Sequence, residues 1–466
     1  MAYHNNPRLA GSEACVFNVD AATVHSSSTF TNTNINQPTY PEWTVGSDNA
    51  EGYSYVGNAG ENYRIKARDP YGNTSVVWEC RENDVGSNGD GGWNSSFYNI
   101  DKSKKYRYVY FMKMPRGGTN NNIGLNGTLY MGLHAGSHHL HHYNGTATQS
   151  NPYFTYPSQG TGSLYQNVWY MGVFFVLPDG TGANAGLEDG IGWYDMRDGA
   201  QATAFNPSSG NLGRQGYWGS SATTTRTRNF LYYSTTPNCV VHWWVPRIDV
   251  CEGNEPTIAE LLTAPQDWWH DSSRNGINLK ARFSSGGAPA FTTSNGAKCF
   301  DFDATNWFQG PNDTSLDNNT LTIQAWVKTD ATNQNGFIFE KGAVNTQYAL
   351  FQEGTNFQFR TRHSSTEYNT LSFATASYMN TSTWYMITAT YDGGYKKMYV
   401  NTTERASTSY ANQTLETNTY GVNVGRHSSG YYYNGKIGAV RVYNRALTVN
   451  EITQNFNTHK ARYGLA

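Results

Sequence analysis

A chain of 466 residues has room for two or three domains, each with its own core. Only 15% of residues are charged and the formal net charge is −2, so the basic footprint that a nucleic-acid partner requires is missing. Aromatic residues also reach 15%, with 34 Tyr and 13 Trp, a mixture that favours all-β sandwiches joined by polar loops. The five cysteines (Cys15, Cys80, Cys239, Cys251, Cys299) are odd in number and form no C-x-x-C pair. Buried free thiols are therefore expected rather than a disulfide framework or a structural zinc site. No apolar run reaches the length of a membrane span, so no membrane insertion is expected. The first residues lack both a basic n-region and an apolar h-region, so no secretory signal is read there.

In chain order, Ala14–Ala22 alternates Cys15, Phe17 and Val19 as a short strand. Residues 26–75 are rich in Ser, Thr, Asn and Gly and read as irregular connection, so 1–75 is expected to be an N-terminal strand and connecting segment. Aromatic and β-branched runs follow at Val76–Cys80, Tyr106–Met114, Val168–Leu177, Asn229–Ser234 and Val240–Cys251. Their spacing, broken by Gly, Asn and Pro turns, predicts an antiparallel jelly roll over 76–265. Pro256–Leu262 reads as one or two helical turns, and 276–297 as a loop. Within the last domain, 266–466, Ile437–Tyr443 is apolar on both faces, as a strand inside a sandwich would be. Asn434-Gly435 before it is a hairpin-type turn signal. Thr448 and Glu451 form a capping-box pattern, and Ile452 and Phe456, four apart, give the short helix one apolar side.

Several of these stretches carry a resemblance. CFDFDATNW (Cys299–Trp307), TLTIQAWVK (Thr320–Lys328), FIFEKG (Phe337–Gly342), WYMITATYDGGYKKMYV (Trp384–Val400) and the terminal strand and helix of Tyr431–Asn457 resemble, in order, concanavalin A-like, laminin-G-like lectin domains of phage and bacterial surface proteins. Ala14–Ala22 resembles the opening strand of those proteins. It is usually followed by W-x-D-x-S, which here comes much later as WHDSS (Trp269–Ser273), implying an inserted domain. DGGWN, YRYVYFMK, NPYF and RIDVCEGNEPTIAELL resemble a jelly-roll, carbohydrate-binding-like module of tailed-phage virion proteins. The resemblance implies an all-β chain of two antiparallel sandwiches with a short C-terminal helix. It further implies a virion structural protein (a tail fibre, spike or surface appendage), assembled in the host cytoplasm and displayed on the virion surface. Its partners would be other virion subunits, copies of itself (a trimer first) and a host cell-surface glycan. The alternatives are a decoration or scaffold protein that contacts only virion subunits, and a polysaccharide depolymerase.

Glucanases of the same fold present E-x-D-x-x-E on one strand. The nearest pattern here, Arg247–Glu252 (RIDVCE), offers Asp249 and Glu252 but an arginine at the nucleophile position, so no enzyme is expected. His134, His138, His139, His141 and His142 cluster in HAGSHHLHH. His139 and His141 have the two-residue spacing that would share a strand face and could hold a metal between chains; an exposed polar loop is the plainer reading. Asp84, Asp90, Asp101, Asp249 and Glu252 are candidate oxygen ligands for a structural Ca²⁺, against solvated turn carboxylates. Candidate sugar platforms are Trp93, Tyr431, Tyr432, Tyr433 and Tyr368, with His363 nearby in sequence, because a flat ring stacks on the apolar face of a pyranose. Gly180–Gly192 lacks the strand-to-helix switch of a phosphate cradle, and no Gly-x-Ser-x-Gly elbow occurs.

Overall fold

A computed structural model describes residues 9–24, 43–50, 52–82, 89–117, 128–135, 139–143, 145, 153–155, 164–202, 215–232, 238–253, 255–263, 268–285, 287–343, 346–364, 367–410 and 414–466. The chain is all-β apart from short helices, and it divides into two compact units. One joins Met1–Phe30 to Gln266–Ala466, and the other is Thr31–Pro265. The boundary between the two units thus falls inside the N-terminal segment 1–75. Cys15–Asp20 pairs antiparallel with Asn434–Tyr443 in the discontinuous unit, whereas Tyr53–Tyr55 and Asn62–Arg68 are strands of the other.

The discontinuous unit is built from two sheets. The first runs Ala290–Ser294, Ala297–Asp303, Asn434–Tyr443, Leu321–Thr329, Tyr385–Tyr391, Tyr395–Val400 and Thr403–Ser409. The second runs Trp268–Trp269, Leu279–Phe283, Asn306–Gly310, Val422–Val424, Gly336–Lys341, Tyr348–Glu353, Asn356–Arg362 and Tyr368–Ala374. Residues expected as a loop (276–297) therefore contain two strands, whose short length hid their alternation. Between the sheets, alternate residues such as Phe17, Val19, Ile323, Leu350, Phe359 and Val440 make one buried apolar core.

Asp271, from the WHDSS segment, pins the N-terminal strand to this core. Its carboxylate accepts backbone N–H bonds from Asn18 (2.8 Å), Ser273 (2.8 Å) and Ile277 (2.7 Å). The Asn434-Gly435 pair opens a strand instead of forming a hairpin. Gly435 sits at φ 142°, where a Cβ would meet Lys328 O at 2.7 Å. Thr448 and Glu451 close the capping box of the helix Val449–His459. That helix and the turn after it cover a second apolar cluster, in which Trp326 stacks on Tyr463 at 4.0 Å.

The other unit also has two sheets. Strands Gly192–Asp195, Trp169–Leu177, Lys105–Arg116, Val240–Cys251, Thr74–Arg81 and Asn62–Arg68 run antiparallel in the larger. Thr128–His134, Thr224–Tyr232, Gly89–Ser95 and Tyr53–Tyr55 form the smaller. The two sheets are joined face to face by buried hydroxyl bonds: Tyr108 to Thr225 at 2.8 Å and Tyr110 to Gly132 O at 2.5 Å. The histidine stretch expected as a loop is partly a strand, since Leu140–His142 pairs with Gln215–Trp218.

Candidate functional site

The outer face of the second sheet of the discontinuous unit carries a band of rings and guanidinium groups. Strand alternation places it there. In Tyr348–Glu353, Tyr348 and Leu350 point into the core and leave Ala349 and Phe351 on the other face. In Asn356–Arg362, Phe357 and Phe359 point inward, leaving Arg360 and Arg362 out. In Gly336–Lys341 the register shifts between Phe337 and Phe339. This bulge turns Phe337 outward to join Ala349 and Phe351, while Phe339 stays in the core.

The band runs across four strands. The Arg360 guanidinium lies 5.7 Å from the Tyr368 ring and 4.6 Å from Phe351. Phe351 stacks on Phe337 at 4.4 Å, Phe337 meets His427 at 4.6 Å, and His427 meets Tyr431 at 5.9 Å. Beside it, the Arg426 guanidinium lies 4.1 Å from Trp307 and 5.1 Å from Tyr432. The ends are the accessible parts: Tyr431 is 50% exposed and Tyr368 43%. Exposed rings at both ends of a cation-lined strip suit the stacking and hydrogen bonding that sugars require.

A buried carboxyl braces the loop that presents Tyr431. Glu340 accepts from the Thr346 hydroxyl (2.6 Å), the Ser428 backbone N–H (3.2 Å) and the Asn423 amide (3.3 Å), and His427 Nε2 lies 3.3 Å away. Burial pushes the Glu340 carboxyl up to about 7. Burial, followed by the fields of Arg360 and Arg426, pushes His427 down to about 4. His427 is therefore neutral near pH 7. The loop begins at Gly425, whose φ is 91° and where a Cβ would meet the Phe302 ring at 2.3 Å. It closes through Tyr433 N–H to Gly425 O (2.8 Å) and His427 N–H to Tyr431 O (2.9 Å).

Of the sequence candidates, Tyr431, Tyr432 and Tyr368 fall on this band. Tyr433 does not: alternation sends it into the core against Phe302, and it is 0% exposed. Trp93 is also fully buried, packed edge-on to Tyr53 at 5.2 Å and near Trp43, so its ring has no face to offer a sugar. His363 lies off the band, packed on Tyr410 at 4.8 Å and Tyr391 at 5.7 Å.

The same two tyrosines, with Phe359, surround the buried Lys396, whose Nζ donates to Asn369 O at 2.7 Å. Burial pushes this amine down to about 7. An unfolded lysine keeps its proton to about 10.4. Between those values the unfolded chain binds the extra proton, so stability should rise with pH. Lys396→Met is expected to flatten that rise, checked by urea midpoints at about pH 7.5 and about 9.5. An unchanged slope in the variant would contradict the assignment.

The candidate metal ligands do not converge. Asp249 is buried between Arg107 and Arg247, each 2.8 Å away, so its oxygens are engaged by guanidinium groups. Burial works against its charge, yet the two arginines hold its carboxyl below the usual range. Glu252 pairs with Lys104 at 2.6 Å, Asp90 is buried, and Asp101 accepts from the backbone and hydroxyl of Ser103. Asp84 and His138 lie outside the described residues. His139 Nδ1 is bonded to Ala135 O, and His141 stacks on Tyr217 at 4.8 Å. Among the described residues, no group of three or more His, Cys, Asp or Glu side chains is arranged to hold a metal ion.

Sequence reasoning missed Trp307, Arg360, Phe337, Phe351, Arg426 and Glu340. Trp307 and Arg360 occupy outward positions of alternating strands and so were findable. Phe337 was not, because its orientation depends on the bulge.

Residues 302–453 match the family model described as the concanavalin A-like lectin/glucanases superfamily. No curated protein matches the chain. Among solved structures, the chain is similar to domain 4 of AbnA, a GH43 extracellular arabinanase from Geobacillus stearothermophilus, in complex with arabinotriose. The identity is 19% and the TM-score 0.34, covering 40% of this chain and 91% of that one. It is also similar to the binding domain of botulinum neurotoxin DC in complex with SialylT (13%, TM-score 0.33, 41% and 48%). A third is the binding domain of Paraclostridial Mosquitocidal Protein 1 (15%, TM-score 0.36, 43% and 53%). The chain spans about half the length of these two toxin binding domains.

Proposed function

We propose that the chain is a non-enzymatic glycan-binding protein whose ring-and-guanidinium band takes a host cell-surface polysaccharide. The observation that carries this reading is the pair of exposed rings, Tyr431 and Tyr368, at the ends of a strip of stacked aromatics and arginines on a lectin-type sheet. The carboxyl beneath the strip, Glu340, is bonded to Thr346, Asn423 and Ser428, so its oxygens serve to brace the loop that presents Tyr431.

The biological setting in this proposal is a phage virion surface, as a tail fibre, spike or surface appendage. There the protein would stand against other virion subunits as a homo-oligomer, a trimer in the first instance. The stretches DGGWN, YRYVYFMK and RIDVCEGNEPTIAELL support that setting by resemblance. Repetition of a weak site in the oligomer would supply avidity.

The test is binding of the purified, oligomer-defined protein to a panel of bacterial surface polysaccharides, with and without EDTA, while released reducing sugar is followed. Saturable binding without sugar release is expected. Absence of binding by the assembled oligomer would move the role to a decoration or scaffold subunit, and sugar release would make it a depolymerase. Loss of binding with EDTA would restore calcium as a cofactor.

A further inference from the structure

We propose that the oxygen cage at the end of the strand Gly336–Lys341 is a hard-cation site whose resident cation is the Lys341 ammonium, and that the cage takes Ca²⁺ once that side chain is removed. This inference makes no use of the ring-and-guanidinium band and stands or falls independently of it.

Lys341 is the last residue of its strand. Phe339 points into the apolar core, so alternation turns Lys341 to the same side, where its side chain is 0% exposed. A buried amine needs acceptors at its tip, and five oxygens surround this one. Asn312 Oδ1 and Tyr420 O each lie 2.8 Å from Nζ, Asn418 O 3.2 Å, Asn418 Oδ1 3.3 Å and Asp317 Oδ1 3.6 Å. They come from two separate stretches, 312–317 and 418–420. Neighbouring bonds hold both in place. Gly342 N–H donates to Gly421 O at 3.0 Å. The hydroxyl of Tyr348, directly opposite Lys341 in the register, donates to Leu316 O at 3.0 Å. Asp313 caps the turn Thr314–Leu316 by accepting from Ser315 N–H.

The cage is built for an ion. An ammonium has three N–H groups, yet four of the oxygens lie within 3.3 Å of it. A neutral amine would turn its lone pair towards one of them, so the charged form is the one that fits. Burial pushes the amine down, and the Asp317 and Asp313 carboxylates pull it back. More oxygens than hydrogens around one point make a coordination sphere. Amide oxygens of Asn312 and Asn418, backbone carbonyls of Asn418 and Tyr420 and the Asp317 carboxylate are the groups that Ca²⁺ takes. Asp317 Oδ1 is also buried with no hydrogen-bond partner, so an ion of higher charge would be drawn towards it. Ca–O bonds of about 2.4 Å would close the nearest oxygens in by about 0.4 Å, with water completing the sphere. In the native chain the lysine supplies the charge covalently, so these two stretches are joined without a metal ion.

The probe is Ca²⁺ alone, added to the EDTA-treated and dialysed full chain, with the melting temperature as the readout. Lys341→Ala is expected to melt below the parent and to regain about 4 °C in about 10 mM Ca²⁺, as an ion bound with a Kd of about 1 mM would give. Mg²⁺, which demands shorter bonds and gives up its water reluctantly, should do about half as much or less. NaCl at matched ionic strength should do nothing. The parent and Lys341→Met, whose stem refills the cage, should move by about 1 °C or less on adding Ca²⁺. Adding Asp317→Asn to Lys341→Ala should abolish the response. No shift in Lys341→Ala, an equal shift in the parent or in Lys341→Met, or a shift that survives Asp317→Asn would each overturn the proposal. Lys341→Ala is also refolded from urea with and without Ca²⁺. Recovery only with the ion would support the proposal, and failure to fold in both would overturn it.

Discussion

Asp249→Ala is expected to destabilise the Thr31–Pro265 unit by about 3–5 kcal/mol, the cost of breaking a buried ion pair from one side. Asp249 is 0% exposed, and the side chains of Arg107 and Arg247 are 5% and 7% exposed. Alanine would leave two guanidinium groups in the interior with no counter-charge supplied from Asp249. The effect should appear as a lower denaturant midpoint with little change in slope. Removing the charges together, as Asp249→Leu with Arg107→Met and Arg247→Met, should recover much of the loss, because well-packed apolar replacements avoid the desolvation penalty. The same variants decide the calcium question. A loss of stability seen only when Ca²⁺ is present in the parent protein would mean that Asp249 serves a cation.

The second large effect is Asp271→Ala. This side chain accepts from three backbone N–H groups and from the Ser273 hydroxyl at 2.7 Å, and one of those N–H groups belongs to Asn18 in the N-terminal strand. Leaving buried donors unsatisfied costs about 1–3 kcal/mol each, so a loss of roughly 3 kcal/mol or more is expected. Amide exchange distinguishes this from general weakening. Protection should fall first in residues 15–20, whose strand is held to Asn434–Tyr443 at its other edge. Unchanged protection there would show that the pairing of Val19 with Val440 suffices without Asp271.

The terminal strand and helix were legible in the sequence because local signals and global fold agree there. The alternation of Ile437–Tyr443 and the Thr448–Glu451 box each specify one structure, and the structure contains both. The strands Leu279–Phe283 and Ala290–Ser294 were missed, since five residues with Gly- and Ser-rich flanks carry little periodicity. Asn434-Gly435 misled for a different reason. The glycine is needed for close approach of the Lys328 backbone, not for a reverse turn, and composition cannot separate those demands.

The site was half legible. Three consecutive tyrosines, Tyr431 to Tyr433, signalled an aromatic loop, but only the structure shows that two reach the surface side and the third fills the core. Trp93 and Asp249 misled because a large ring or a carboxylate near turn residues reads alike whether buried or exposed. Burial is a tertiary property, and the partners that decided it, Trp43 and Tyr53 for the ring and Arg107 for the carboxylate, lie 40 to 142 residues away in sequence. The Arg360–Phe351–Phe337 stack depends on three neighbouring strands and a bulge, none of which a single stretch of sequence encodes.

The most direct measurement is the affinity of Tyr431→Ala beside the parent protein for the best polysaccharide of the panel, both as monodisperse oligomers with matched melting temperatures. Tyr431 is half exposed and held by a loop braced on Glu340, so its removal should leave the fold intact. The expected result is an affinity loss of about tenfold, or 1.4 kcal/mol, from the missing ring stack, with Tyr368→Ala weaker by a similar factor. Unchanged affinity in both variants, with saturable binding retained, would place the glycan elsewhere and contradict the band as the binding site.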